Sequence, residues 1–398
     1  MHWLEQDLVE RIRLGLYRVR RKLQSAQGPR VLFRGREFLN FSSNDYLNLA
    51  SDPRLARAAA HAARRYGCGA GASALVSGHL PPLRALERDL ANWEGTEAAL
   101  VLSSGFAANL AVLTAIAGRE DAIFSDELNH ASLIDGCRLS RSSVHVYRHR
   151  DLDHLLLLLR QHGENARRRL IVTDTVFSMD GDVAPLAELV NIADRFDCVL
   201  VVDEAHATGV LGAKGRGVTD LIPAHTTGTD RIIKVGTLSK ALGAQGGFVC
   251  GSRLLINWLV NAARPYIFST ALAPPIAAAA RRAVALVRQE PKRRQRLLHL
   301  SAMLRGQLEA LGHPRTSSAC QIVPVIVGSA RAAVRVSKML EKRGMLVPAI
   351  RPPSVPEGTA RLRISLNAGH TEEDVRRLVS AVQECMPQNP PVATGGLS

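Results

Sequence analysis

Short apolar segments alternate with helical patterns in the central part of the chain, between about residues 82 and 250. The segments are rich in Val, Ile and Leu, which is typical of strands buried on both faces. The segments predicted to be strands are Ala98–Leu102, Ala122–Phe124, Val144–Tyr147, Leu170–Val172, Cys198–Val202, Ile232–Val235 and Gly247–Val249. Strands that alternate with helices require crossover connections. The pattern therefore predicts an α/β fold with a mostly parallel sheet that helices cover on both faces.

The pattern differs at both ends of the chain. Residues 1–25 are amphipathic and predict a helix, residues 30–39 predict a hairpin, and Asp52 followed by Pro53 predicts the start of a helix that runs to about Tyr66. Beyond residue 253 the predicted elements are helices at 274–288, 292–311, 330–343 and 371–385, and strands at Ile322–Val327, Leu346–Ile350 and Arg361–Leu366. The predicted regions are an N-terminal segment (1–50), a large domain (51–272), a smaller α+β domain (273–385) and a disordered Pro- and Gly-rich tail (386–398).

Composition narrows the functional classes. A length of 398 residues suits one large domain and one smaller domain. No apolar run approaches the roughly 20 residues needed to span a bilayer. The charged N-terminus lacks the apolar stretch of a secretory signal, so we expect a cytoplasmic protein that does not contact membranes. Six isolated cysteines without a C-x-x-C pair predict reduced thiols and indicate no metal site.

The net charge of +15 has two functional interpretations. A basic surface can bind nucleic acid, or it can attract an acidic partner. The basic residues are spread along the chain, with small clusters at Arg18–Lys22, Arg167–Arg169 and Lys292–Arg296. Neither a nucleic-acid motif nor an aromatic platform accompanies them. We therefore expect no nucleic-acid partner and interpret most of the charge as a solvated face.

Residues that could take part in catalysis or ligand binding follow several of the predicted strands. Lys240, in Thr-Leu-Ser-Lys-Ala-Leu-Gly, could hold an aldehyde as an imine, although an isolated lysine is more often a surface residue. Asp203 ends a buried strand and requires a cationic partner, for which a pyridinium nitrogen or a metal ion would serve. Gly105 and Phe106 open a helix whose backbone N–H groups could bind phosphate. His130 could stack on a flat cofactor, although a lone histidine is usually structural.

Taken together, these motifs resemble the α-oxoamine synthases, a family of fold-type I enzymes that depend on pyridoxal phosphate (PLP). The similarity extends over about residues 1–385. The segments that carry it are FSSNDYL (41–47), SSGFAAN (103–109), NHASLIDG (129–136), VFSMDGD (176–182), DEAHATG (203–209), TLSKALG (237–243), FST (268–270) and AIRPPSVPEGTARLR (349–363).

The resemblance implies a role for each matching residue. It implies that Lys240 binds PLP as a Schiff base and moves protons, that Asp203 pairs with the ring nitrogen, and that His130 stacks on the ring. It implies that His206 hydrogen-bonds the 3-oxygen of the ring and that Ser178 helps to position the ring. It also implies that Gly105, Phe106 and Thr237 hold the phosphate, and that Thr270 reaches the phosphate site of a neighbouring subunit. The implied substrate ligands are Asn44 and Arg363 for the amino acid carboxylate, and Arg20 and Ser354 for the acyl group.

The segment at 349–363 is most similar to the family members of biotin biosynthesis. This similarity implies decarboxylative condensation of L-alanine with a pimeloyl thioester, carried by an acyl carrier protein or coenzyme A, in a homodimer with shared active sites. A glycine C-acyltransferase of the same family is the alternative. A basic nucleic-acid or scaffold protein with a degenerate enzyme fold is the third hypothesis, and the complete set of matching residues argues against it.

One segment departs from the family pattern. The sequence AGASALVSG has Ala72 and Ala74 where family members usually carry a Gly-Gly-Ser/Thr string followed by a larger residue. The high net charge is also unusual. We hypothesise that it attracts an acidic acyl carrier protein by electrostatic steering.

Overall fold

The computed structural model of the protein describes residues 2–223 and 225–386. The chain divides into two units. The large unit comprises residues 49–177 and 183–294. The small unit comprises the described residues of 1–48, 178–182 and 295–398. Residues 387–398 of the tail that was predicted to be disordered lie outside the described residues.

The helices and strands are numbered in chain order. The helices are α1 (His2–Arg13), α2 (Pro53–Tyr66), α3 (Pro81–Glu94), α4 (Gly105–Ile116), α5 (Ala131–Ser140), α6 (Leu152–His162), α7 (Leu186–Arg195), α8 (Arg253–Ala262), α9 (Arg264–Ile267), α10 (Pro274–Gln289), α11 (Pro291–Ala310), α12 (Ala330–Lys342) and α13 (Glu372–Cys385). The strands are β1 (Arg30–Phe33), β2 (Arg36–Asn40), β3 (Ala98–Leu102), β4 (Ala122–Asp126), β5 (Ser143–Tyr147), β6 (Arg169–Asp174), β7 (Cys198–Asp203), β8 (Ile232–Thr237), β9 (Gly247–Gly251), β10 (Ile322–Gly328), β11 (Met345–Leu346), β12 (Ala349–Ile350) and β13 (Ala360–Ser365).

The large unit is built on a seven-stranded sheet with the order β3-β9-β8-β7-β6-β4-β5. Strands β4 to β8 pair in parallel, whereas β9 is antiparallel to both β3 and β8. Each of the seven segments predicted as strands forms one of these strands. The predicted α/β fold with a mostly parallel sheet is confirmed.

Both faces of this sheet are buried. Successive residues of a strand point to opposite faces, and Ile123 and its neighbour Phe124 are both fully buried, as are Val201 and Val202. On one face the strands pack against apolar residues of α4, α5 and α8, such as Leu113, Leu133 and Leu259. Helices therefore cover the sheet as predicted, and the last residues of its parallel strands, such as Asp174 and Asp203, are buried as well.

Parallel pairing places the ends of β6, β7 and β8 at the same edge of the sheet. Asp174, the last residue of β6, is opposite Asp203, the last residue of β7, and Asp203 is in turn opposite Val235 of β8. The residues that follow these strands are consequently close neighbours in space although they are distant in sequence.

The small unit contains two three-stranded sheets, with the orders β1-β2-β11 and β10-β13-β12. The region Leu346–Ile350, predicted as one strand, forms two short strands that belong to different sheets: β11 pairs with β2, and β12 pairs with β13. Pro348 lies between them and has no backbone N–H to donate, so a continuous ladder is interrupted there.

The N-terminal helix is shorter than predicted. It ends at Arg13 instead of continuing to residue 25, and Gly15 follows with φ of +70°. None of its residues is buried, so no packing energy favours further helical turns.

The boundaries of the two units also differ from the predicted domain limits. Helix α10 belongs to the large unit, where it packs against α2 and α3, so the boundary falls after residue 294 rather than after residue 272. Residues 1–48 belong to the small unit because β2 pairs with β11. In the part of the chain that the structure describes, no helix has the length and apolar character needed to cross a membrane.

Candidate active site

Lys240 lies just after β8, at the strand edge that the sequence motifs indicated. Its Nζ is 2.8 Å from Nε2 of His206, which follows β7. A protonated Lys240 amine donates in this contact, which places the proton of a neutral His206 on Nδ1. The turn beyond Lys240 requires a glycine at position 243, where φ is +61° and a Cβ would lie 2.4 Å from the backbone nitrogen of Ala50.

Asp203 is a buried carboxylate held by neutral donors. Its Oδ2 accepts a hydrogen bond from Nδ2 of Asn109 at 2.6 Å, and its Oδ1 accepts from the backbone N–H of Ala205 at 2.7 Å. No ion pair involves Asp203 within residues 2–223 and 225–386. A buried carboxylate without a cation is unfavourable, so this position is suited to a positively charged ligand atom.

Asn109 connects Asp203 to His130 through Ser132. Nδ2 of Asn109 donates to Ser132 Oγ at 2.8 Å as well as to Asp203, and Ser132 Oγ is 2.7 Å from Nδ1 of His130. The opposite amide orientation would bring two acceptors together, so the Asp203 carboxylate fixes Nδ2 as the donor. Ser132 then uses its own proton for His130 Nδ1, which also accepts from the Ser132 backbone N–H at 3.2 Å.

These contacts determine the proton position on His130. Because Nδ1 accepts two hydrogen bonds, a neutral ring carries its proton on Nε2. Partial burial of the ring lowers the pKa of His130, the nearby charge of Asp203 opposes this shift, and the charge of Lys240 adds to it. The ring centroid of Phe106 is 6.5 Å from that of His130, in an edge-to-face arrangement. His130 is therefore an oriented ring at the sheet edge that carries Lys240, and its burial favours the neutral form.

The N-terminus of α4 provides backbone donors next to Thr237. Ser104 caps the helix by accepting from the N–H of Ala107 at 3.0 Å. No described group accepts from the N–H of Gly105 or Phe106. A Cβ on Gly105 would lie 3.3 Å from Cβ of Thr237, so the helix start and this threonine are in close contact. Such an arrangement is suited to a phosphate group.

Thr270 is positioned by the Gly-rich segment. It forms an isolated antiparallel bridge with Ser73, and the N–H of Ala271 donates to the carbonyl of Ala72 at 3.0 Å. The alanine at position 72 is thus accommodated, whereas Gly78 is required because a Cβ there would lie 2.2 Å from the Ala72 oxygen. Thr270 is exposed, and none of the hydrogen bonds of the described residues joins it to Lys240 or Thr237.

Arg363 is the centre of a second cluster, which lies in the small unit. Its guanidinium donates to Oδ1 of Asn44 at 3.2 Å, to Oγ of Ser365 at 2.9 Å, to Oη of Tyr46 at 3.3 Å and to the carbonyl of Ser178. Arg363 is buried, and no carboxylate pairs with it among the described residues. Its partners are all neutral, so the cluster holds a buried positive charge that an anion would balance.

Arg20 and Ser354 are exposed residues of the small unit. The segment that carries Arg20 is joined to the segment that carries Ser354, because Arg351 Nη2 donates to the carbonyl of Tyr17 at 2.7 Å. Ser354 itself donates through its N–H to the carbonyl of Arg351 at 3.1 Å. The structure therefore brings the two predicted acyl-binding segments together.

Four polar residues of these clusters were not singled out by the sequence analysis: Asn109, Ser132, Tyr46 and Ser239. Ser239 Oγ is 2.8 Å from Thr237 Oγ1. All four lie inside motifs that carry the resemblance, and an asparagine within a mostly apolar helix was an available signal for Asn109. Within the described ranges, no group of three His, Cys, Asp or Glu residues is arranged to hold a metal ion.

The chain belongs to the aminotransferase class I and II family, whose model matches residues 36–382. A relative from Anaeromyxobacter dehalogenans strain 2CP-1, named 8-amino-7-oxononanoate synthase, is 48% identical over 392 residues. The match covers 98% of this chain and 97% of the relative. The predicted resemblance to the α-oxoamine synthases, and to their biotin-pathway members in particular, is confirmed.

Solved structures agree with this assignment. A serine palmitoyltransferase from S. paucimobilis with a bound PLP–myriocin aldimine superposes with a TM-score of 0.89 at 28% identity, and the match covers 96% of each chain. An 8-amino-7-oxononanoate synthase from Francisella tularensis superposes with a TM-score of 0.74 at 29% identity, covering 87% of this chain and 97% of that one. These likenesses confirm the predicted fold class.

Proposed function

We propose that this protein catalyses the condensation of L-alanine with a pimeloyl thioester to give 8-amino-7-oxononanoate, CO2 and the free thiol of the carrier. The product is the one for which its relatives are named, and one of these 8-amino-7-oxononanoate synthases is 48% identical over nearly the full length of both chains. The observation that carries the proposal is the buried Asp203 carboxylate, which has neutral donors only and lies at the same sheet edge as Lys240.

The cofactor is pyridoxal phosphate, which the serine palmitoyltransferase neighbour binds. When bound, PLP supplies an aldehyde that condenses with amines and a ring that accepts the electrons left by a broken bond at the neighbouring carbon. The residues present fit this group. The Lys240 amine can hold the aldehyde, the Asp203 carboxylate can balance a protonated ring nitrogen, and the N–H groups of Gly105 and Phe106 can bind the phosphate.

The remaining residues orient the cofactor. Thr237 would contribute a hydroxyl beside the start of α4, and His206, 2.8 Å from Lys240, would support the 3-oxygen side of the ring. His130, oriented through its Nδ1 contacts, would stack on the ring. Ser178 would help to position the ring.

Arg363 and Asn44 bind the carboxylate of alanine. The guanidinium is planar and already fixed by several neutral acceptors, so it can hold a carboxylate in one orientation. Fixing the carboxylate decides which bond at the α-carbon reacts. The Lys240 amine would act as the base that removes the α-proton of alanine. The carboxylate departs as CO2 after the new carbon–carbon bond has formed, and a proton takes its place.

The acyl donor is bound by Arg20 and Ser354, and an acyl carrier protein or coenzyme A carries the pimeloyl group. We expect the reaction to take place in the cytoplasm, where acyl thioesters are made. The functional molecule is a homodimer in which Thr270 serves the phosphate site of the other subunit. Two apolar side chains support the dimer. Val76 and Phe268 lie near the Ser73–Thr270 bridge and are 80% and 71% exposed. Exposed apolar groups of this kind are typical of interfaces.

The test is an absorbance titration of the PLP-loaded protein with L-alanine, glycine and L-serine, followed by pimeloyl-coenzyme A. We expect a saturable spectral change with L-alanine and, after the thioester is added, release of CO2 and of the amino ketone, detected by mass spectrometry. Lys240→Ala is the matched control and gives neither product. Turnover with glycine and a short acyl thioester, without turnover of pimeloyl-coenzyme A, would instead assign the protein to a glycine C-acyltransferase.

A further inference from the structure

Basic side chains are concentrated on one face of the small unit. Residues 13–22 include five arginines or lysines and no acidic residue. In α12 the residues Arg331, Arg335, Lys338 and Lys342 are spaced by four, three and four positions and are all exposed. This spacing places them on one side of the helix, opposite the buried Ala333, Val336 and Leu340.

Three contacts join these elements into one surface. Nη2 of Arg331 donates to the carbonyl of Arg13 at 3.0 Å. Glu341 of α12 pairs with Arg21 at 3.3 Å and with Arg34, of the turn between β1 and β2, at 3.2 Å. We define the basic surface as residues 13–22, the turn residues 34–36 and the exposed face of α12.

The charge of the basic surface is largely uncompensated. Glu341 is the single acidic residue of α12, and two arginines already neutralise it. Among the described residues, no carboxylate pairs with Arg335, Lys338 or Lys342. Apolar side chains lie between the cations, including Tyr17 at 45% and Val19 at 77% exposure. A solvated face does not require exposed apolar groups, whereas a surface that binds a macromolecule commonly combines both kinds of residue.

We infer that the basic surface docks an acidic acyl carrier protein that delivers the pimeloyl group. The inference rests on the proposed function, and it names the partner and the residues that receive it. Arg20, a proposed ligand of the acyl group, lies within the surface, and the contact from Arg351 to Tyr17 joins the surface to the segment of Ser354. A carrier bound there would present its thioester next to the residues that bind the acyl chain. Opposite charges would also increase the rate of encounter.

The experiment compares two triple variants of the full-length, PLP-loaded protein. The test variant is Arg335→Glu, Lys338→Glu and Lys342→Glu, in the basic surface. The matched control is Arg119→Glu, Arg160→Glu and Arg377→Glu, which reverses the same number of exposed charges outside it. Both are assayed with a pimeloyl-loaded bacterial acyl carrier protein and with pimeloyl-coenzyme A, at low and high salt.

We expect the test variant to lower kcat/KM for the carrier-bound donor by about tenfold or more at low salt, with a smaller difference at high salt. With pimeloyl-coenzyme A, the test and control variants should agree within about twofold, because this donor does not cover the surface. Equal losses with both donors, or a carrier-bound rate that the test variant leaves unchanged, would overturn the inference.

Binding measurements separate this inference from the proposed function. Fluorescence anisotropy with a labelled carrier protein that bears no acyl group reports docking even if the wild-type protein turns over neither donor. Docking that the test variant weakens and the control retains supports the inference in either case. The same measurement with a labelled DNA duplex tests the alternative partner. If the test variant loses DNA binding but binds the carrier protein as the wild type does, the basic surface binds nucleic acid and the carrier proposal is overturned.

Discussion

Asn109 is a fully buried side chain whose two amide protons are both used, one by Asp203 and one by Ser132. Asn109→Ala removes both donors and leaves Asp203 and Ser132 underpaired in a buried place. Losing a hydrogen bond to a buried charged group costs about 1.5–3 kcal/mol, so we expect a roughly tenfold or greater loss of kcat together with weaker PLP binding. Nitrogen NMR of the His130 ring measures the proton position independently of turnover.

Ser132→Ala is the matched control for this prediction. It removes the contact with His130 but keeps the hydrogen bond between Asn109 and Asp203. In Ser132→Ala the backbone N–H of residue 132 still donates to Nδ1 of His130, so we expect the Nε2–H tautomer to become less populated in both variants without being lost. The pH dependence of the cofactor absorbance should change in Asn109→Ala alone. A tautomer population in Ser132→Ala identical to that of the wild type would show that the Ser132 hydroxyl does not orient His130.

Arg363 offers a second residue-scale prediction. Arg363→Ala removes the buried cation that we propose as the ligand of the substrate carboxylate. Because charge-assisted hydrogen bonds contribute about 1.5–3 kcal/mol, KM for L-alanine should rise about tenfold or more. PLP binding, measured by absorbance, should change little, since the proposed cofactor ligands other than Ser178 are in the large unit. An unchanged KM for L-alanine would exclude this role.

His370 is expected to make folding sensitive to acid. It is buried and stacks on Phe41 at a centroid distance of 4.5 Å, and burial lowers the pKa of His370 to about 4. In the unfolded chain a histidine titrates near pH 6.5, so between these values the unfolded state binds more protons than the folded state. The free energy of unfolding therefore decreases as the pH falls from about 6.5 towards 4, by at most about 3 kcal/mol from this residue.

Urea unfolding at pH 7 and pH 5 measures this effect. In His370→Asn, whose amide oxygen can still accept from the N–H of Asn367, the loss of stability between the two pH values should be smaller than in the wild type. An identical loss in both proteins would show that other groups account for the acid sensitivity.

Helix α4 connects local structure to cofactor binding at the scale of a single element. Ser104 caps it, so Ser104→Ala should lower the free energy of unfolding by about 1 kcal/mol. The same change should weaken PLP binding, because the cap holds the helix start whose N–H groups we propose as phosphate ligands. Thr371→Ala removes the capping box of α13 and is the matched control. It should cost similar stability and leave the PLP dissociation constant unchanged.

The sheet elements were predictable from sequence because their apolar residues form short segments bounded by polar ones. The strand ends then placed Lys240 and Asp203 at one edge. The same local information could not give the contacts of Asn109 or Tyr46, which depend on elements far apart in the chain. It also failed for α1, whose amphipathic pattern continues beyond Arg13 although no packing surface supports a longer helix.

At the scale of the whole molecule, the proposed shared active site can be tested by mixing inactive subunits. Lys240→Ala and Thr270→Ala should each have low activity alone. If Thr270 serves the neighbouring subunit, a hybrid dimer of the two variants contains one site with both residues intact. Random mixing should then restore about a quarter of the wild-type activity. No recovery in hybrids whose formation is verified by native mass spectrometry would place Thr270 in the site of its own subunit.

The small unit is built from separate segments of the chain, and this arrangement has a consequence during protein synthesis. Residues 1–48 leave the ribosome before the large unit, but β2 pairs in parallel with β11, which is made only when translation reaches residue 345. All of the large unit is complete by residue 294 and can fold earlier. For the whole of that interval one edge of β2 is an unpaired strand edge, which is a site of aggregation unless it is covered. The nascent chain is therefore open to aggregation at β2 while the cofactor-binding unit is already folding.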